Sequence, residues 1–298
     1  MPNHKQLGNI KSFSAQKKLF AELMSKPEKI ARTKFILLIV ANTLDPTIGK
    51  GCKQDIDAVR HLFEKLSVEM EFNYIELITQ GEDYGKENIL GAINMLTPGS
   101  NDIVVFYYSG HGFSYEKDAA KKYPQIDLRP YLASDKIDVI NAHTENLADL
   151  FELIKSKGAR LNIVIGDCCN SLIEFKRKFI GGSDALRNEK KEPVIINKAS
   201  CETLFCDYTA SILVASASKG EYAVSDDKLG SLFTYNLSKS LKMLMKKDLD
   251  KSAGLPWKKL LEETANKTQE LSKTYDIGNG VPGNQKAIYI IKFRETLY

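Results

Sequence analysis

Long apolar runs are missing from this 298-residue chain. None approaches the roughly 18 uninterrupted apolar residues that a membrane span needs, so neither a spanning helix nor a membrane partner is expected. The amino terminus is polar and basic without the apolar core of a secretion signal, which argues for a cytoplasmic protein. Cysteine is sparse and odd in number: five residues whose spacing outlines no disulfide framework, as befits a reducing compartment. Only four histidines occur, and neither internal repeats nor low-complexity tracts are present. Strong net charge is lacking too, and the formal +4 is uneven: residues 1–34 carry a balance of +6 and the rest −2. That reads as a solvated basic extension over residues 1–32, with no nucleic-acid-binding domain and no nucleic-acid partner.

What is present is a core. Apolar residues make up 43% of the chain, enough to fill one large α/β domain. Phe35 to Val40 form a continuous apolar run, the mark of a central strand covered on both faces. After a loop at Gly49, Lys50 and Gly51, the spacing of Ile56, Val59, Phe63 and Leu66 predicts an amphipathic helix. A second strand over 74–79 and a second helix over 86–96 follow, then an apolar strand starting at 102. Residues 113–130 read as a polar loop, with a short strand over 131–133. Leu147, Leu150, Phe151 and Ile154 mark a third helix, closed by Gly158, and another strand begins at Leu161. Residues 174–209 break the rhythm and read as a charged linker in which only Val194, Ile195 and Ile196 resemble a strand. Beyond it come a strand at 211–217, helices at 232–245 and 257–273 with Pro256 at the latter's start, and a last strand at 286–293. A helix around Phe13, Phe20, Leu23 and Met24 precedes everything, ending at Pro27. Alternating strands and helices imply a mostly parallel sheet with right-handed crossovers and helices on both faces.

Two strand ends carry the chemistry. One runs into Ser109, Gly110, His111 and Gly112, the other into Asp167, Cys168, Cys169, Asn170 and Ser171. If these strands are parallel neighbours, an imidazole and a thiol emerge at one sheet edge, where open parallel sheets place their binding crevices. That is the minimum equipment for nucleophilic acyl transfer. His4, His61 and His143 lie in settings better suited to exposed or structural roles. Cys52, Cys201 and Cys206 read as inert core residues. Neighbouring side chains at a strand end point oppositely, so only one of Cys168 and Cys169 can face His111, and alternation alone does not choose.

Tyr108-Ser109-Gly110-His111-Gly112, followed by Asp167-Cys168-Cys169-Asn170-Ser171 with 58 residues from histidine to Cys169, resembles the caspase/metacaspase family. The metacaspase motif Asp-x-Cys-His-Ser-Gly aligns with Asp167 to Leu172 and makes Cys169 the nucleophile. Gly51 to Asp55 resembles that branch's Gly-Cys-x-Asn-Asp segment, and residues 215–223 and 230–235 resemble the start of its small-subunit region. The chain departs from the pattern at Asn170, in place of histidine, at Leu172, in place of glycine, and at Lys176, where a calcium-binding aspartate is expected.

The resemblance implies a caspase-like α/β fold with a large-subunit-like region at 33–173 and a small-subunit-like region at 210–298. It implies a cysteine endopeptidase in which His111 activates and later protonates, Cys169 attacks, and the N–H groups of Gly112 and Cys169 form the oxyanion hole. True caspases hold aspartate with arginines and a glutamine two residues before the nucleophile. Here that position is Asp167, and with Asp55 and Ser109 it would line a pocket suited to arginine or lysine. Protein or peptide substrates with a basic cleavage-site residue, a zymogen-like monomer, no cofactor and no calcium requirement are expected. Self-cleavage in the linker would fall at Lys176, Arg177, Arg187, Lys190 or Lys191. A catalytically silent scaffold and a thiol hydrolase of non-protein amides are the alternatives.

Overall fold

The computed structural model describes residues 12–25, 32–116, 120–172, 194–249 and 255–293. The elements run α1 (Phe13–Ser25), β1 (Lys34–Ala41), α2 (Gly49–Glu69), β2 (Asn73–Gln80), α3 (Lys86–Asn94) and β3 (Ile103–Ser109). Three short strands follow, β4 (Gly112–Phe113), β5 (Gln125–Asp127) and β6 (Thr144–Asn146), with α4 (Ile137–Ala142) between the last two. Then come α5 (Leu147–Lys155), β7 (Leu161–Asp167), α6 (Lys198–Phe205), β8 (Ala210–Ala215), β9 (Ser225–Asp226), β10 (Gly230–Ser231), α7 (Leu232–Lys246), α8 (Pro256–Ser272) and β11 (Ile288–Phe293).

Six strands form the central sheet in the order β11-β8-β7-β3-β1-β2. All neighbours are parallel except β11, which pairs antiparallel with β8. The strands are legible in sequence because both faces are covered: every residue of β3 and β7 is buried, so apolar side chains are needed at successive positions. Period-two alternation then divides the core. Phe35, Leu37 and Ile39 join α2, α6, α7 and α8 on one face, while Ile36, Leu38 and Val40 join α1, α3 and α5 on the other. The chain moves from β1 outward to β2 and returns to β3 on β1's other side, so the strand order reverses between β1 and β3. Such a reversal opens a crevice at the carboxyl ends of the strands.

Several expectations need correction. Gly49, Lys50 and Gly51 form the first turn of α2 rather than a loop. The stretch 113–130 contains β5, which pairs with β4 and β6, and 131–133 is a turn rather than a strand. The stretch read as linker contains α6, which buries Cys201, Leu204 and Phe205 completely, because Phe205 packs edge-on against Phe63 and Trp257. Val194 and Ile196 pack on that core without forming a strand. The possible processing sites Lys176, Arg177, Arg187, Lys190 and Lys191 lie outside the described residues, as does His4. No described helix is long and apolar enough to cross a membrane.

Within the basic amino-terminal stretch, α1 is packed rather than solvated: Phe20 and Met24 are buried in the core beside α3 and β2. Its last turn is held by Lys34 Nζ and Thr97 Oγ1, both donating to the Met24 carbonyl. Truncating Phe20 removes a fully buried ring, so Phe20→Ala should cost about 3–5 kcal/mol in urea unfolding. Lys18→Ala, on the exposed side, should change it by no more than about 0.5 kcal/mol. Equal, small effects would show that α1 is not part of the folded core.

Candidate active site

Parallel register makes β1, β3 and β7 end level, with Ala41 opposite Ser109 and Ser109 opposite Asp167. His111 and Cys169 therefore each lie two residues past one register pair, on loops that continue side by side. Gly110 N–H donates to the Asp167 carbonyl at 3.3 Å and Ser114 N–H to the Ser171 carbonyl at 2.8 Å. Gly112 sits where the loops touch: a Cβ there would come within 2.5 Å of both Cys168 Sγ and the Cys169 carbonyl oxygen. Any larger residue would have to push the cysteine loop away. The His111 carbonyl is pinned in turn by Tyr108 Oη at 2.6 Å and by Asp127 N–H at 2.9 Å.

The neighbouring cysteines separate as strand alternation requires. Cys168 is buried in the core on the α1, α3 and α5 side, whereas Cys169 is partly exposed. His111 and Cys169 share no direct hydrogen bond. His111 Nε2 lies 2.9 Å from Asp45 Oδ2, in the turn after β1. Cys169 Sγ accepts from Ala223 N–H at 3.3 Å. Burial pushes that thiol up to about 11, against the opposing pull of the Ala223 backbone. The segment around Ala223 is strapped over the loop by two further bonds, Asn170 N–H to Glu221 O at 3.0 Å and Gly220 N–H to Asn170 O at 2.8 Å. Asn170, which stands where the metacaspase pattern has histidine, is wholly buried. Its side chain donates to the carbonyls of Lys122 at 2.9 Å and Ala217 at 3.2 Å and accepts from Ser114 Oγ, fastening three segments around the nucleophile loop.

Asp55, Ser109 and Asp167, expected to line a pocket, come together beneath these loops. Ser109 and Asp167 continue the odd-numbered alternation toward α2, where Asp55 and Cys52 wait one turn apart. Ser109 Oγ donates to Asp55 Oδ2 at 2.7 Å and lies 3.3 Å from Cys52 Sγ. Ser231 N–H donates to Asp55 Oδ1 at 2.8 Å. That approach needs Gly230 at φ +80°, where an added Cβ would sit 2.2 Å from Asp55 Oδ1. Asp167 Oδ2 accepts from Thr234 Oγ1 at 2.6 Å and Thr234 N–H at 3.1 Å, and Tyr107 Oη lies 2.5 Å from the same Thr234 hydroxyl. Among the described residues Asp167 Oδ1 has no hydrogen-bond partner. The two acids are 1% and 3% exposed, and among the described residues no cation pairs with either. Burial, then repulsion by Asp167, raises Asp55, and burial raises Asp167 against the pull of the surrounding hydroxyls.

Sequence reading placed His111, Cys169, Gly112, Asp55, Ser109 and Asp167 here, and all six lie around this sheet end. It missed Asp45 and the contacts that Thr234 and Ala223 make, whereas Cys52 is the buried core residue it was read as. Thr234 stood within a segment already singled out, 230–235, but Asp45 showed only the Asp-Pro signature of a turn.

A caspase-domain family model matches residues 34–283, and the chain belongs to that family. Cysteine-peptidase chemistry on protein substrates is the family's general activity. Among solved structures, caspase-1 from Spodoptera frugiperda is similar at 14% identity, with 91% of each chain covered and a TM-score of 0.46. No curated protein matches.

Both buried acids keep their protons to higher pH in the folded chain than in the unfolded one. The folded state therefore binds more protons, and its stability falls as pH rises from the ordinary carboxylate range through the raised values. Asp55→Asn removes one of these ionisations. Between about pH 5 and about pH 9 its unfolding free energy should fall less than that of the wild type, by about 1 kcal/mol or more. Parallel curves in urea titrations would rule out a titrating pair.

Proposed function

We propose that the protein is a cysteine endopeptidase of the metacaspase-like branch that uses Cys169 and His111 and cleaves after arginine or lysine. The observation that carries the specificity is the pair Asp55 and Asp167, buried, with no cation and no partner for Asp167 Oδ1 among the described residues. A guanidinium or ammonium group entering between them would supply charge-assisted hydrogen bonds and restore both acids to their ionised forms. An aspartate side chain would be repelled. The chemistry rests on the two adjacent strand-end loops that bring an imidazole and a thiol to one crevice.

In the reaction the Cys169 thiol passes its proton to His111 and attacks the scissile carbonyl, forming a carbon–sulfur bond. The N–H groups of Gly112 and Cys169 hold the oxyanion, each worth about 3–4 kcal/mol. The imidazolium protonates the departing amine as the carbon–nitrogen bond breaks, and water activated by His111 then hydrolyses the thioester. Substrate has to displace the Ala223 contact before the thiol is free, which suits a resting form of low reactivity. The catalytic region comprises residues 33–173 and 210–298 in one domain, and the segment between them is the candidate for self-processing. The enzyme acts as a cytoplasmic monomer without added calcium.

Peptide hydrolysis should vanish in Cys169→Ala and in His111→Ala, while Cys168→Ala keeps most of it. Asp167→Asn should lower turnover of arginine substrates at least about tenfold. A cleavage library dominated by aspartate or leucine would refute the specificity. Labelling of Cys169 by a thiol-reactive peptidyl inhibitor should abolish peptide cleavage; absence of both labelling and cleavage would point to a silent scaffold. Chelator should leave the purified enzyme active; silencing that calcium reverses would contradict the calcium-independent reading.

A further inference from the structure

The two strands flanking the point of reversal end in two residues that meet. β1 leads to Asp45 and β3 to His111, and the carboxylate Oδ2 stands 2.9 Å from the imidazole Nε2. Both side chains are largely withdrawn from water, 10% and 22% exposed.

The aim of that carboxylate is set by its other oxygen. Asp45 Oδ1 accepts from Thr47 N–H at 2.8 Å, Thr47 Oγ1 at 2.5 Å and Ile48 N–H at 3.1 Å. The Asp45 carbonyl accepts from Gly49 N–H at 2.9 Å, which starts α2. Three donors on one oxygen leave the other a single direction, toward His111. Burial pushes the Asp45 carboxyl up, but the hydrogen bond and charge of His111 and the Thr47 donors outweigh it and hold the group well below the usual carboxylate range. It faces the imidazole as an anion.

We propose that Asp45 is the positioning residue of the Cys169–His111 pair, fixing the histidine tautomer with the proton on Nε2 and stabilising the imidazolium once it forms. With Nε2–H committed to Asp45, Nδ1 is the nitrogen left to take the thiol proton and later to protonate the leaving amine. Asp45 itself neither gains nor loses a proton in the cycle. The same turn begins the helix that carries Asp55, so one carboxylate ties the base to the substrate pocket. This role rests on the peptidase reading above.

Asparagine at this position gives a sharp test. Its amide oxygen must stay toward the Thr47 and Ile48 donors, so its NH2 group turns toward His111. Nε2 then has to accept, and the proton moves to Nδ1, the nitrogen the reaction needs unprotonated. Wild type and Asp45→Asn would be compared for kcat and KM on an arginine peptide amide, with melting temperatures as the folding control. Nitrogen-15 spectra of labelled histidine, with His111 assigned through His111→Ala, would report the tautomer. The expected result is a kcat at least about 100-fold lower with KM within about twofold, and a shift of His111 from the Nε2–H to the Nδ1–H form. An Asp45→Asn enzyme within about threefold of wild-type kcat, or an unchanged tautomer, overturns the proposal. Should Asp45→Asn fail to fold, the wild-type spectrum decides: an Nδ1–H tautomer there overturns it and an Nε2–H tautomer supports it. A wild type inactive on a full peptide library overturns the peptidase reading and this role with it, whereas an active wild type with an unimpaired Asp45→Asn removes only the role of Asp45.

Discussion

In-register parallel pairing of β1, β3 and β7 is the constraint on which the rest of this molecule depends. Ala41, Ser109 and Asp167 stand at one level. Everything reactive is then measured from that level: Asp45, His111 and Cys169 lie a few residues past it, Ser109 and Asp167 at it, and Asp55 against it from α2. A slip of one residue in β3 would turn Ser109 away from Asp55 and carry Tyr107 out of its core, since neighbouring side chains face opposite sides of the sheet. The full burial of β3 and β7 on both faces opposes such a slip.

Beneath the strand ends the protein keeps two acids where water does not reach. Neutral donors from Ser109, Ser231 and Thr234 satisfy three of their four oxygens, and none of these donors carries charge. Buried carboxylates without a cation cost stability, and they shed that cost by holding protons. The arrangement therefore works against the resting fold, and it is the feature on which the proposed basic specificity rests. Arg129 shows the contrast: it is also buried, but Asp127 grips it through two oxygens, so that pair is closed to any ligand and serves to brace the histidine loop.

The nucleophile loop is held by uncharged contacts of another kind. Gly112 lets two loops touch, and Asn170 is bonded on all sides by main chain and Ser114. A residue that looked like a departure from a catalytic pattern is a structural fastener. The segment around Ala223 is tied to Asn170 by two backbone bonds and rests one N–H on the Cys169 sulfur.

How much of this was legible beforehand follows from the range of each interaction. Strands β1, β3, β7 and β8 were legible because a segment covered on both faces must be apolar along its length, and α2, α5, α7 and α8 because a helix lying on a sheet repeats its apolar positions every three to four residues. That His111 and Cys169 follow neighbouring strands was legible through two local motifs at the ends of such strands. Helix α6 was lost because its eight residues hold few apolar positions in a charged stretch, and its anchor, Phe205, gains meaning only beside Phe63 and Trp257. The burial of Asp55 and Asp167 together, the hydroxyl from Thr234 and the turn of Asp45 onto His111 were decided by tertiary structure alone. Asp45 and His111 are 66 residues apart, and Asp167 and Thr234 are 67. Such partners meet only once strand order and register are set, and those are properties of the whole sheet that no local pattern of residues encodes.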